Sequence, residues 1–101
     1  PVTVDFTVTL HVHPDHGDLA EIQAQGEEII DIMFRYGEAE SNGITKVDPL
    51  FGVIRAQVIA NLMTIEYVVN VTLTAPAADV PVEMDELAVK GNVTVTAERL
   101  S

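Results

Sequence analysis

The chain has 101 residues, of which 48% are hydrophobic, and this composition is typical of one folded domain with a single core. It contains no cysteine, which excludes disulfides, thiol nucleophiles and cysteine metal sites. Sixteen acidic residues against five basic ones give a net charge of −11, and this balance argues against binding to nucleic acid or to an anionic membrane. We therefore expect one domain over residues 1–101 with a solvated acidic surface.

Neither a membrane span nor a signal peptide is expected. Asn61, Glu66 and Asn70 interrupt the longest apolar stretch, which stays short of the ~18 residues of a spanning helix. The N-terminal stretch carries Asp5 and strict alternation, where a signal peptide has a basic flank and an apolar block. We expect the protein to be cytoplasmic or part of a virion.

The stretch from residue 2 to residue 13 predicts the clearest strand. Apolar residues fall on one face, and threonine, aspartate and histidine fall on the other. Pro14 ends the strand because proline has no N–H for the ladder. The predicted inward residues are Val2, Val4, Phe6, Val8, Leu10 and Val12.

A long helix is predicted next. Asp18 is a good N-cap, and Glu21 three residues later completes a capping box. An apolar stripe then recurs at spacings of three and four, and residues 41–43 end a helix of about 23 residues that spans ~35 Å. Gly26 lies on the stripe, which suggests a close approach to the sheet. The stripe consists of Leu19, Ile22, Gly26, Ile29, Met33 and Tyr36.

Residues 44–62 are ambiguous. Residues 44–47 could form a short strand. Residues 48–61 fit a helix that starts at Asp48-Pro49, but alternation from Ile54 to Ala60 also fits a strand. We favour the strand, because the next segment otherwise lacks a hairpin partner.

Residues 63–75 predict the second clear strand, with Val68 as the one apolar residue on its outer face. Residues 79–90 fit either a short helix or a strand that ends in a Gly91-Asn92 hairpin. Residues 93–98 alternate again and predict the last strand. The inward residues of the second strand are Ile65, Tyr67, Val69, Val71 and Leu73.

The predicted order is strand, long helix, strand, strand, short helix, strand. This is the ferredoxin-like βαββαβ order, an α+β two-layer sandwich with a mainly antiparallel sheet and one long helix on one face. Every clear strand presents threonines on its other face. We expect this polar face to meet solvent or another copy of the molecule.

Three histidines and an aspartate cluster where the first strand ends. Residues two apart on a strand point the same way, so two imidazoles can reach one ion, and the turn brings the other two side chains close. Nitrogen donors of this kind suit Zn²⁺, Ni²⁺ or Cu²⁺ better than Ca²⁺. The candidate metal ligands are His11, His13, Asp15 and His16.

The string His11-Val12-His13-Pro14-Asp15-His16 resembles the H-x-H-x-D-H signature of the metallo-β-lactamase superfamily. By that resemblance, His11 and His13 would hold one metal, and Asp15 and His16 would hold a second. The resemblance covers six residues only. The family uses further histidines downstream and a chain about twice as long, whereas this chain has no histidine after His16. We therefore do not carry over the hydrolytic function.

Pro1 gives a more distant alternative. An N-terminal proline is the catalytic base of the tautomerase superfamily, which also begins with a strand followed by a helix, and the chain resembles it in that respect. It lacks a basic residue near the end of the first strand to hold a carboxylate substrate, and His11 and His13 are the only candidates there.

The main functional expectation is a non-enzymatic structural or assembly protein. It would act as a homo-oligomer or as a subunit of a larger complex through the polar sheet face and the strand edges. Small acidic α+β chains without an active site are common among bacteriophage head–tail and tail components, and this analogy suggests a virion protein. The alternative is a divalent-metal-binding protein or small metalloenzyme that uses His11, His13 and His16.

Overall fold

The computed structural model describes residues 2–36, 43–83 and 85–100. Within these ranges, three strands and two helices follow one another in the order βααββ. In these residues, no helix is both long enough and apolar enough to cross a membrane. The elements are β1 (Val2–Val12), α1 (Leu19–Met33), α2 (Arg55–Leu62), β2 (Val68–Ala75) and β3 (Ala88–Arg99).

The sheet of the described chain has three strands in the order β2-β1-β3. The central strand β1 is antiparallel to β2 and parallel to β3. The fold is α+β, as expected, but the ferredoxin-like prediction is wrong. A three-stranded mixed sheet with two short helices replaces the mainly antiparallel sheet with one long helix.

The alternation of β1 is confirmed, because its apolar side chains face the core and its polar side chains face outward. Five inward residues are at most 3% exposed. β1 is the central strand and its inward face is buried, which accounts for this regular pattern, since both of its neighbours and the covering helices depend on one register. The five residues are Val4, Phe6, Val8, Leu10 and Val12.

Helix α1 begins as predicted and ends early. Asp18 Oδ1 accepts a hydrogen bond from the backbone N–H of Glu21 at 3.2 Å, which caps the helix. At the other end, the carbonyl of Met33 accepts from the N–H of Val47 at 2.9 Å. The segment around Val47 thus uses the Met33 carbonyl, which in a longer helix would accept an intrahelical hydrogen bond. The predicted length of 23 residues is wrong. Residues 37–42, the last part of the predicted helix and the start of its predicted end, lie outside the described residues.

Gly26 brings α1 close to the sheet, as the sequence suggested. A Cβ at this position would lie 3.0 Å from Leu10 Cδ1 and 3.1 Å from Val95 Cγ1. Real Cβ atoms rarely approach neighbours so closely, so a larger residue would push the helix away from β1 and β3. The glycine therefore sets the distance between the two layers.

The strand that we favoured in residues 48–61 is wrong, because the segment forms helix α2 from Arg55. Its N-cap Ile54 has no capping side chain, and Asp79 Oδ1 instead accepts from the N–H of Arg55 at 2.8 Å. Val58 and Leu62, four residues apart, are fully buried. No hairpin partner is needed, since β2 pairs with β1. Residues 44–47 form no strand.

Strand β2 starts five residues later than predicted, and its first part faces the opposite way. Val68 is buried, whereas Val69 is 44% exposed. The ladder pairs His11 with Asn70 and Val12 with Val68, so Val69 is an extra residue at a β-bulge. A bulge reverses the facing of the residues beyond it, which simple alternation cannot predict.

The described residues of this segment before β3, 79–83 and 85–87, form neither the short helix nor the hairpin strand that we considered. Val80 forms two backbone hydrogen bonds with Val53, and β3 then runs through the predicted Gly91-Asn92 turn. Those two residues form a bulge opposite Asp5, whose Oδ1 accepts from the N–H of Asn92 at 2.8 Å. The aspartate satisfies a donor that the bulge removes from the ladder.

Polar contacts fix β3 against α1. Lys90 Nζ lies 2.7 Å from Asp31 Oδ1, and Arg35 Nη2, four residues after the aspartate, lies 2.8 Å from Asp31 Oδ2. These bonds, first that from Lys90 and then that from Arg35, lower the pKa of Asp31 below its ordinary value. Tyr36 donates its hydroxyl to the carbonyl of Ala88 at 2.7 Å, and burial raises the pKa of Tyr36.

Candidate functional site

The histidine turn, residues 13–17, joins β1 to α1. Strand β1 ends at Val12, Pro14 follows in the turn, and Asp18 caps the helix. Asp15 and His16 are exposed, and His13 is half-buried. The turn therefore presents its polar side chains at one end of the sheet, where the sequence predicted them.

His11 lies on the outer sheet face and not in the turn. Its Nε2 is 2.7 Å from Thr72 Oγ1 on β2. The contact lies beside the bulge at Val69, next to the His11–Asn70 pair. The ring thus links the two strands across the polar face, and this use accounts for a histidine at that position.

His13 and His16 come together as a pair of tilted rings. Their centroids are 4.7 Å apart, and the His16 ring lies 5.6 Å from the ring of Tyr67. His13 Nδ1 accepts a hydrogen bond from the N–H of Asp15 at 3.0 Å. This bond requires an unprotonated Nδ1, so the ring that forms it carries its hydrogen on Nε2 when it is neutral.

Arg99 holds the histidine turn in place from the end of β3. One guanidinium nitrogen donates to the carbonyls of His13 at 3.2 Å and His16 at 3.1 Å, and another donates to the carbonyl of Gly17 at 2.5 Å. Three convergent carbonyls are a fitting set for the donors of one guanidinium. The parallel register sets Arg99 beside Val12 and so makes this contact possible.

Sequence reasoning missed both Arg99 and Tyr67. Tyr67 has a φ of +70°, and its carbonyl accepts from the N–H of His13 at 2.8 Å. Both residues approach the turn only through the sheet pairing, far along the chain. No local pattern would have indicated them.

The four candidate ligands do not form one coordination sphere. Across the described ranges, no group of three or more histidine, cysteine, aspartate or glutamate side chains is placed to hold a metal ion. The structure brings His13 and His16 together but directs His11 to Thr72. Metal binding at this cluster stays a prediction, and the tautomerase-like role of Pro1 falls on a residue outside the described ones.

The second candidate site is the polar sheet face, defined as the outward side of β1 with the threonines beside it. Thr3, Asp5 and Thr7 are exposed although they lie on the central strand. The second face of a central strand is usually buried only where helices or another sheet pack against it. The outward threonines of the neighbouring strands, all exposed, are Thr72, Thr74, Thr94 and Thr96.

Neither edge strand pairs with a further strand within the described chain, although Gln23 Oε1 accepts from the N–H of Ala97 on β3 at 3.4 Å and Arg55 donates to the carbonyl of Leu73 on β2 at 2.9 Å. Strands β2 and β3 each pair with β1 on one side only. Two irregularities interrupt the β1–β2 pairing, whereas residues 93–99 pair with β1 in unbroken register. The longest regular open edge is therefore the second half of β3.

Comparison with known protein families gives no match to any family model, and comparison with curated proteins gives no match either.

Proposed function

We propose that the chain is a non-enzymatic structural or assembly protein, which acts as a homo-oligomer or as a subunit of a larger complex. It would contact other subunits through the polar sheet face and the strand edges. The observation that supports the proposal best is the central strand β1, whose outward residues Thr3, Asp5 and Thr7 are exposed. An open sheet edge presents unpaired N–H and C=O groups, which pair readily with another chain.

The edge of β3 is the better docking edge of the two. Bulges and a proline are the usual means by which proteins protect edge strands from pairing. β2 has extra residues at Val69 and Thr74 and is followed by Pro76. β3 has one bulge at Gly91-Asn92 and is regular beyond it.

The regular half of β3 is also complementary to itself. A second copy placed antiparallel beside it and centred on Val95 would set Thr94 opposite Thr96 and Asn92 opposite Glu98. No two like charges would face one another, and Thr–Thr pairs are favourable across strands. This complementarity supports a symmetric dimer in which two three-stranded sheets join into one.

The kind of assembly that we propose is a bacteriophage virion. Small acidic α+β chains without an active site are common among head–tail and tail components, and this chain agrees with them in size, charge and class. The proposal rests on that analogy together with the open sheet.

Light scattering coupled to size-exclusion chromatography tests the proposal. We expect the wild-type chain to run as a dimer or larger species, and Thr94→Glu with Thr96→Glu to shift it to the monomer, because like charges then face one another twice. Thr7→Glu is the matched variant on the central strand. It blocks stacking of the polar face but leaves the β3 edge free.

The two variants distinguish a contact through the β3 edge from a contact through the polar sheet face. Dissociation by the β3 variant alone assigns the contact to the edge, and dissociation by Thr7→Glu as well assigns it to the face. A wild-type chain that stays monomeric at high concentration contradicts self-association, and only a hetero-complex would then remain.

A further inference from the structure

A groove runs between α1 and residues 64–67, on the helix side of the sheet. It consists of two adjoining recesses of about 300 and 120 Å³, which share Gln25 and Glu66 in their walls. Ligand sites in proteins usually measure roughly 300–1,000 Å³, so this groove suits long side chains and is too small for a large cofactor.

The floor of the groove is apolar. Ile29 and Ile32 contribute from α1, and Ile44 and Ile65 contribute from the opposite wall. These four side chains belong to the hydrophobic core and are 5–9% exposed, so they line the groove with their outer atoms. An aliphatic chain that enters the groove would cover them without any change in the core.

The rim of the groove is acidic. Glu28 and Glu66 border the larger recess, and Asp18 and Glu21 border the smaller one with Glu66. No lysine, arginine or histidine is among the described residues that line either recess. The carboxylates therefore surround an apolar floor without a cation of the same chain beside them.

The five basic side chains of the chain all contact other groups. Each of them has a hydrogen-bond acceptor away from the groove: Arg35 and Lys90 use Asp31, Lys46 uses the Arg35 carbonyl, Arg55 uses the Leu73 and Pro76 carbonyls, and Arg99 uses the carbonyls of the histidine turn. A second copy of this chain thus has no available basic segment, and its net charge of −11 opposes approach to an acidic groove.

We infer that the groove binds a basic segment of a different protein, in which lysine or arginine side chains alternate with aliphatic ones. The aliphatic stem of a lysine packs on Ile29, Ile32 and Ile65, and its ammonium group stays at the rim beside Glu28 and Glu66. Charge complementarity selects this partner, since the floor alone would accept any apolar chain. The site lies apart from the polar sheet face, so it adds a second contact to the proposed assembly role.

The test uses a synthetic peptide of alternating lysine and leucine, titrated calorimetrically into the full chain at physiological ionic strength. Glu28→Gln with Glu66→Gln should weaken binding about tenfold, because each exposed ion pair contributes up to roughly a factor of five. Glu27→Gln with Glu83→Gln removes the same two charges from exposed positions outside the groove. This control should bind within about twofold of wild type.

Gln25→Trp places a large indole ring where the two recesses adjoin, from an exposed helix position and without a change in charge, and it should weaken binding at least as much as the double glutamine variant. Circular dichroism confirms that each variant is folded. Equal weakening by the groove pair and the control pair would mean general attraction to an acidic protein and overturn the inference. Binding of spermidine but not of the peptide, with amide shifts at the groove residues, would assign the site to a small polyamine and overturn it as well. Neither result depends on the oligomeric state that tests the proposed function.

Discussion

Asn61 offers the sharpest test of how this fold is held together. Among the described residues it is the one polar side chain that is buried, at 4% exposure. Its Oδ1 accepts from the N–H of Thr45 at 2.9 Å, and its Nδ2 donates to the carbonyl of Thr45 at 2.8 Å. The amide therefore ties the chain around Thr45, which has no strand partner, to helix α2.

Replacement of Asn61 by alanine should lower the free energy of unfolding by about 2–3 kcal/mol, since two hydrogen bonds of about 1 kcal/mol each and some packing are lost. Thr45 itself is exposed, so water can reach its backbone groups and keep the loss at this level. A domain of this size has a total stability of roughly 5–15 kcal/mol, so the loss is easily measured.

Asn61→Asp is the informative variant, because it keeps the size and removes only the donor. A carboxylate oxygen would face the carbonyl of Thr45, and this repulsion together with burial raises the pKa of the new carboxyl above about 3.9. The folded state then resists ionisation while the unfolded state does not. The destabilisation is therefore absent below the ordinary pKa, grows as the pH rises towards the raised pKa, and reaches about 2–4 kcal/mol at neutral pH.

Urea unfolding followed by circular dichroism, at about pH 4 and about pH 7, measures both variants against wild type. We expect the loss in Asn61→Ala to be nearly the same at both pH values, and the loss in Asn61→Asp to be clearly larger at neutral pH. An aspartate variant as stable as wild type at neutral pH would refute the paired hydrogen bonds. So would a loss that does not change with pH.

Two further variants test the turn at Gly52 and the contact between β3 and α1. Gly52 has a φ of +78° and a Cβ there would overlap the carbonyl oxygen of Val80, whereas Gly43 has a φ of +79° and open space around it. In urea unfolding, Gly52→Ala should cost about 3 kcal/mol or more and Gly43→Ala about 1 kcal/mol, and equal losses would show that only backbone strain matters. Lys90→Ala should raise the pKa of Asp31 towards 3.8 in an NMR titration and cost about 0.5 kcal/mol at neutral pH. Because the pKa of Asp31 is lowered in the folded protein, the stabilisation by the Lys90–Asp31 ion pair is present above pH 3.8 and is lost as the pH falls through the folded pKa. An Asp31 pKa that is the same in Lys90→Ala and in wild type would contradict the ion pair.

The elements that the sequence predicts well are those whose pattern is contained in a short stretch of consecutive residues. β1 is a central strand under a helix, so its alternation persists from Val4 to Val12. The start of α1 depends on the local bond between Asp18 and Glu21. Both features are encoded within a few residues, and both are confirmed.

The errors occur where a distant residue decides the structure. The end of α1 depends on Val47, and the start of α2 depends on Asp79, which supplies the cap that Ile54 cannot. The facing of β2 depends on the extra residue Val69. Periodicity contains none of this information, and a wrong segment 48–61 was sufficient to produce the wrong fold.

The sequence likewise predicts only the local part of the candidate site. The position of the histidine turn followed from Pro14 and Asp18, but the guanidinium that holds it comes from Arg99, 86 residues after His13. Residues that are close in the sequence are also not always close in space, because the outer face of β1 and the histidine turn after it point in different directions. This geometry separates His11 from the pair formed by His13 and His16.

The polar residues of β1 do not all have the same role, and the difference narrows the surface available for assembly. Asp5 accepts from Asn92 at the β3 bulge, and His11 contacts Thr72 beside the β2 bulge. Each thus fixes the register where the ladder is irregular, and each has an intramolecular reason to be polar. Thr7 pairs with Ala75 beside the extra residue Thr74, is exposed, and makes no side-chain hydrogen bond within the described chain. A polar, β-branched residue in that position is not needed for the register. The partner contact that we propose therefore fits the centre of the sheet better than the histidines.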